Sequence, residues 1–191
     1  MMEEDSPKKP LTRRRFLKTG VVGGAFLLAG SMVAIFRTRG YDLSPEREAK
    51  LVALSAWQAV FVEQAARRIT APDLPEDKSI PTSDETDVAG FVDRYVSRMP
   101  DAMRRDLTRL FAYVEHLAPL RLKLSSRFTR LAPEEQDRVL ASLETSEETL
   151  LRGGFEGLKS LVFMGYYRDP RTWKVLGYAG PWVGRPDKGW W

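Results

Sequence analysis

His116 is the only histidine of the chain, and cysteine is absent. Those two residue types supply most of the metal ligands, nucleophiles and neutral-pH proton carriers of proteins. A chain without cysteine in an oxidising compartment has no disulfide, no thiolate metal site, no iron–sulfur cluster and no covalently attached c-type haem. On a helical wheel with apolar residues at 107, 110, 111, 114 and 117, His116 falls on the opposite face, which predicts a surface histidine. Carboxylates such as Glu63, Asp93 or Glu115 are then what a stand-alone enzyme would have to use. No G-x-S-x-G elbow marks a serine nucleophile. Gly20, Gly23, Gly24 and Gly30 have no βαβ context for a dinucleotide loop, and Gly153-Gly154 lies inside a helical pattern. The acids between Pro72 and Asp87 lack calcium-loop spacing. The expectation is that this chain holds no cofactor and no catalytic site.

A different chemistry is written at the start. Thr12-Arg13-Arg14-Arg15-Phe16-Leu17-Lys18 fills every position of the twin-arginine export signal, Ser/Thr-Arg-Arg-x-Phe-Leu-Lys. The sixteen uncharged, mostly apolar residues Val21 to Phe36 follow it, then Arg37 and Arg39. A basic segment before a short apolar run is a leader rather than part of a fold, and sixteen residues fall below the roughly 20 of a comfortable transmembrane helix. The same charges would also orient a signal anchor. Either way residues 1–40 place the rest outside the cytoplasm, in the periplasm. No small-x-small cleavage site stands out after Ala34, which leaves open an uncleaved leader anchored in the cytoplasmic membrane. The signal residues are Arg13, Arg14, Phe16, Leu17 and Lys18, and their partner is the twin-arginine translocase. That route carries folded proteins, so it suits a chain that holds a cofactor or travels bound to one that does.

Charge follows the same division. The net charge of +4 comes from the leader, where residues 1–40 carry eight Lys/Arg against three acids; 22 bases and 23 acids remain beyond it. A near-neutral body gives no electrostatic case for nucleic acid.

The elements that must position any site are helical. Ser44-Pro45-Glu46 reads as a helix start, and Leu51, Leu54, Phe61, Ala65 and Ile69, widened by Trp57 and Val60, predict one helix to about Thr70, before Pro72. A stripe so wide belongs on a helix packed on two sides, or packed once and capped by a partner. Pro72 to Asp87 reads as a long loop. Val88, Phe91, Val92, Tyr95, Val96 and Met99 predict a second helix. A third opens at Asp101 with Met103, Leu107, Leu110, Phe111, Val114 and Leu117 inward and ends near Pro119. Leu120 to Ser126 is ambiguous. Pro133 opens a short fourth with Val139, Leu140 and Leu143. A fifth runs from Ser146 with Leu150, Leu151, Phe155, Leu158, Leu161 and Val162 inward, its Gly153-Gly154 suggesting a close helix crossing or a bend. No strand-period segment of useful length is present, so the expected class is all-α: about five helices in an irregular bundle over residues 44–165. Residues 166–191 alternate aromatics with Gly and Pro and predict an extended tail. Tyr and Trp anchor surfaces that are apolar on one side and polar on the other. Tyr166, Tyr167, Trp173, Tyr178 and Trp182 are therefore candidate anchors for a partner, with a cap over the chain's own core as the equal alternative.

The phrase Phe128…Leu131-x-Pro133-Glu-Glu-Gln with Val139-Leu140 and Leu143-Glu144, and above all Phe163-x-Gly165-Tyr166-Tyr167-x-Asp-Pro170 followed by Leu176-Gly177-Tyr178-x-Gly180-Pro181, resembles the gluconate 2-dehydrogenase subunit 3 family. The likeness spans about residues 45 to 182. The resemblance implies a small subunit without an active site, bound to a large GMC-type subunit that carries FAD and performs the oxidation. It further implies a cytochrome c subunit in many such complexes. The large subunit usually lacks a leader, so the small one exports both. A membrane-anchored interaction protein with a non-flavoprotein partner is the alternative from a different class.

Overall fold

The computed structural model describes residues 40–71 and 79–180. The export signal and Trp182 lie outside the described residues. Within them the chain is helical and contains no strand. Five helices of nine residues or more are present: α2 (Ala56–Ile69), α3 (Val88–Val96), α4 (Asp101–Ala112), α6 (Pro133–Glu144) and α7 (Thr149–Tyr166). Two short ones, α1 (Pro45–Glu48) and α5 (Ala118–Arg121), accompany them.

α2 is the middle of the bundle. It packs against α3, α4, α6 and α7, as a two-sided stripe requires. Phe61, Val62 and Ala65 have no exposed surface. The Phe61 ring meets Phe111 of α4 at 5.0 Å and Phe128 of the 3-10 turn Phe128–Arg130 at 5.6 Å. Val139, Leu140 and Leu143 of α6 and Phe155, Leu158, Leu161 and Val162 of α7 complete the core.

The structure corrects the expected first helix, which is two. α1 ends at Glu48, and α2 begins after Ser55. Between them the amides of Val52, Ala53 and Leu54 donate to the Asp93 carboxylate of α3 at 2.8, 2.9 and 2.7 Å. Three charge-assisted bonds to a carboxylate that is only 2% exposed hold those amides away from a helical ladder. Gln58 Oε1 then accepts from both the amide and the hydroxyl of Ser55 at 2.8 Å, starting α2.

The third helix also differs. It ends near Pro119 as expected, at Arg121, but reaches that end through a π-helical turn, Tyr113–Leu117, that leads into α5. Pro119 has no N–H to give a carbonyl four residues back, and its ring would crowd that carbonyl. One extra residue in the turn moves the carbonyl aside. The added residue leaves Val114 buried as its spacing predicts but changes the exposure of the positions that follow it. Leu117, expected inward, is 37% exposed, and Glu115 is fully buried.

Gly154 of α7 faces α4 so closely that a Cβ would lie 2.8 Å from Leu110 Cδ1. That is the close crossing expected at Gly153-Gly154. At Gly165 a Cβ would lie 3.0 Å from Phe91 and 3.2 Å from Val88 of α3. Gly153 meets nothing, and Leu150, expected inward, is 85% exposed. The buried stripe of α7 is narrower than the apolar pattern.

The tail is not extended throughout. Pro170–Leu176 forms a 3-10 helix. Asp169 caps it by accepting from the Arg171 amide at 2.9 Å, Pro170 takes the first helical position, and Gly177 at φ 62° ends it. No helix among the described residues is long and apolar enough to cross a membrane.

Candidate functional site

The three carboxylates that could have served acid–base chemistry lie on different elements and are each engaged within the chain. Glu63 pairs with Arg47. Asp93 accepts the three amides of the α1–α2 connection. Glu115 belongs to the π-turn, lies 3.4 Å from Arg127 Nε, and accepts from the Thr129 amide at 3.1 Å and the Thr129 hydroxyl at 2.7 Å. Asp93 and Glu115 are thus buried groups that hold the backbone of other segments. His116 is a correction as well. The π-turn rotates it from the solvent face to a half-buried position against Trp57, with ring centroids 6.1 Å apart. Among the described residues no group of three or more His, Asp or Glu could hold a metal ion.

The aromatic candidates are brought together at the C-terminal end of α7, on their own chain. Tyr166 is 4% exposed, and its hydroxyl donates to the Pro81 carbonyl at 2.9 Å, 85 residues away. Burial pushes its phenol above its ordinary value. Because the folded state favours the neutral phenol, this contribution holds below pH about 10 and is lost as the pH rises past that. Tyr167 lies edge-on to Tyr166 at 5.2 Å and packs beside Phe163 at 5.6 Å. Trp173 Nε1 donates to the Tyr167 carbonyl at 2.7 Å, and its ring meets Tyr178 at 5.2 Å. Arg168 and Arg171 reach the carbonyls of Thr86 and Glu85, each at 3.4 Å. The Arg171 guanidinium beside Asp169 holds that carboxyl below the usual range. The segment thus straps the loop before α3 to the end of α7.

This sorts the five aromatics. Tyr166 belongs to the core. Tyr167 and Trp173 are half-buried, Tyr178 is 44% exposed, and Trp182 lies outside the described residues. Trp173→Ala should therefore lower the stability of the isolated chain by about 2 kcal/mol, less than the 3–5 of a fully buried tryptophan. A thermal melt should show a fall of roughly 4–8 °C. An unchanged melting point would mean that the strap contributes nothing to the fold.

Sequence reasoning missed a second surface. Leu150, Gly153, Gly157, Ser160 and Met164 share one exposed face of α7, spaced three and four residues apart, and a Cβ at Gly153 or Gly157 would meet nothing. Leu150 and Met164 frame a shallow strip of small residues, where another helix could approach closely. Its signal was present: two glycines four residues apart within an apolar pattern too wide for one buried stripe. Leu150 was assigned inward because periodicity alone does not say which edge of a wide stripe is covered.

No match was found among curated proteins or among solved structures. The family described as gluconate 2-dehydrogenase subunit 3 matches residues 56–180, from the first residue of α2 to the end of the strap. With all five long helices and the aromatic strap inside the matched region, the chain belongs to the gluconate 2-dehydrogenase subunit 3 family, the family of a subunit of a dehydrogenase complex.

Proposed function

We propose that this chain is the non-catalytic small subunit of a periplasmic flavin-dependent alcohol or sugar dehydrogenase. It binds a large GMC-type FAD subunit and carries it out of the cytoplasm through the twin-arginine pathway, with a cytochrome c subunit as a further member of the complex. The observation that carries this proposal is the family match over residues 56–180. It is supported by the complete signal at Arg13, Arg14, Phe16, Leu17 and Lys18. The chain-internal engagement of Glu63, Asp93 and Glu115 supports a non-catalytic role. The FAD would then belong to the partner, and this chain's contribution is surface: Tyr178 and the half-buried Trp173 at one end of α7, and the strip from Leu150 to Met164 along it.

The test is purification of the full chain from its own host with its partners attached. A complex that contains flavin is expected, with all flavin leaving with the large subunit when the subunits are separated and this chain colourless. Changing Arg13→Lys together with Arg14→Lys should retain both subunits and the dehydrogenase activity in the cytoplasm. Flavin that stays with this chain, or full periplasmic activity in the double variant, would remove the proposal.

A further inference from the structure

A second surface, away from the aromatic residues, opens onto the edge of the core. A cleft of about 520 Å³ lies between α4, the end of α3 and the α1–α2 connection. Its floor is apolar, made by Leu54, Val96, Leu107 and Phe111, of which Leu54, Val96 and Phe111 are buried. Its rim is cationic: Arg104, Arg105 and Arg109 of α4 against Asp101 as the one lining acid. Against Asp101 and Asp106 on the same helix, the three guanidinium groups leave one excess positive charge at the opening.

Those arginines are available. Arg105 is exposed and forms no ion pair or hydrogen bond with any described residue. Arg104 and Arg109 pair only with Asp101 and Asp106 of their own helix, three residues away, with guanidinium side chains 42% and 76% exposed. Such exposed pairs contribute about 0–1 kcal/mol, so an incoming carboxylate can take their place. Guanidinium groups bind carboxylates in pairs of parallel hydrogen bonds, and the cleft volume falls within the roughly 300–1,000 Å³ of ligand-sized pockets. A cationic rim over an apolar floor is complementary to one apolar side chain flanked by acids.

We infer that this cleft is a docking site for an acidic segment of the large flavin subunit, an apolar side chain entering between Leu54 and Leu107 while neighbouring Asp or Glu side chains meet Arg105 and Arg109. This inference rests on the subunit role proposed above. Its position on α4, rather than on α7 or the strap, would give the partner a second hold on the bundle.

The experiment measures affinity between the full chain and the purified flavin subunit at two salt concentrations. For Arg105→Glu with Arg109→Glu, the expectation is at least a tenfold weakening at low salt and a flatter salt dependence. Arg138→Glu, an exposed arginine of α6 outside the cleft, should bind as wild type. The paired Arg→Gln variant, which adds no repulsion, should fall between. A photo-crosslinking residue at position 105 should capture a peptide of the flavin subunit with two or more acids around an apolar residue. Double variants that bind as tightly as wild type, or an adduct to lipid or to a neutral or basic peptide, would overturn the docking site and leave the subunit role standing. Failure of the wild-type chain to bind the flavin subunit at all would overturn both.

Discussion

Asp93→Ala should destabilise the chain by about 3–5 kcal/mol and lower its melting temperature by roughly 10 °C or more. The Asp93 side chain is 2% exposed, so its carboxylate is worth having there only because of what it binds. It accepts from Val52, Ala53 and Leu54 at 2.7–2.9 Å. Hydrogen bonds to a charged group contribute about 1.5–3 kcal/mol each, and donors left unpaired in a closed site cost about 1–3. Even with partial relaxation the sum exceeds an ordinary surface change several-fold. Asp93→Asn is the finer variant. Its amide oxygen can still accept from Ala53 and Leu54, but its nitrogen faces the Val52 amide donor to donor, so a loss between wild type and Asp93→Ala is expected. A thermal melt of each variant checks the order. A fall of under 1 kcal/mol for Asp93→Ala would mean that water replaces the carboxylate and that the connection does not depend on it. The variant also has a consequence for function, because Ala53 and Leu54 line the cationic cleft. Partner affinity should weaken along with stability, whereas Trp173→Ala should leave the cleft intact.

Sequence alone went furthest where local chemistry and periodicity agree. Pro133 with Glu134 and Glu135 opens α6, and Val139, Leu140 and Leu143 are buried as their spacing predicts. Failures occurred where one side chain from a distant element overrides a local preference. Nothing near Leu51 announces a helix break; the cause is Asp93, about forty residues later in α3. The π-turn has a local cause in Pro119, but a proline near a helix end reads first as the end itself, and periodicity carries no sign of the extra residue before it. The extra residue changes the exposure of Glu115, His116 and Leu117, while Val114 stays buried as its spacing predicts. At the C-terminal end the aromatic and Gly/Pro composition was legible. The 3-10 turn that folds Trp173 back onto Tyr167 was not, because its cap at Asp169 was read only as part of a broken pattern.

Removing one member of the buried Glu115–Arg127 pair should produce the second large effect. Glu115 is fully buried and Arg127 is 7% exposed, with 3.4 Å between Nε and Oε1. Two charges withdrawn from water are tolerated only together, and breaking such a pair from one side commonly costs about 3–5 kcal/mol because the other charge is left uncompensated. Arg127→Met keeps the length and packing of the side chain and removes its charge. The Glu115 carboxylate would then retain only the Thr129 amide and hydroxyl and whatever the surrounding chain adds, so a loss in that range is expected. Pairing it with Glu115→Gln removes both charges while the Gln oxygen still accepts from Thr129. The double variant should therefore be more stable than Arg127→Met alone, since a neutral pair in this place no longer carries the desolvation of an ion. Melting curves of the wild type, both single variants and the double variant give the coupling between the two positions. If the losses simply add, the two side chains do not depend on each other. In that case the π-turn would be held by Pro119 and the Trp57–His116 contact rather than by the ion pair beneath it.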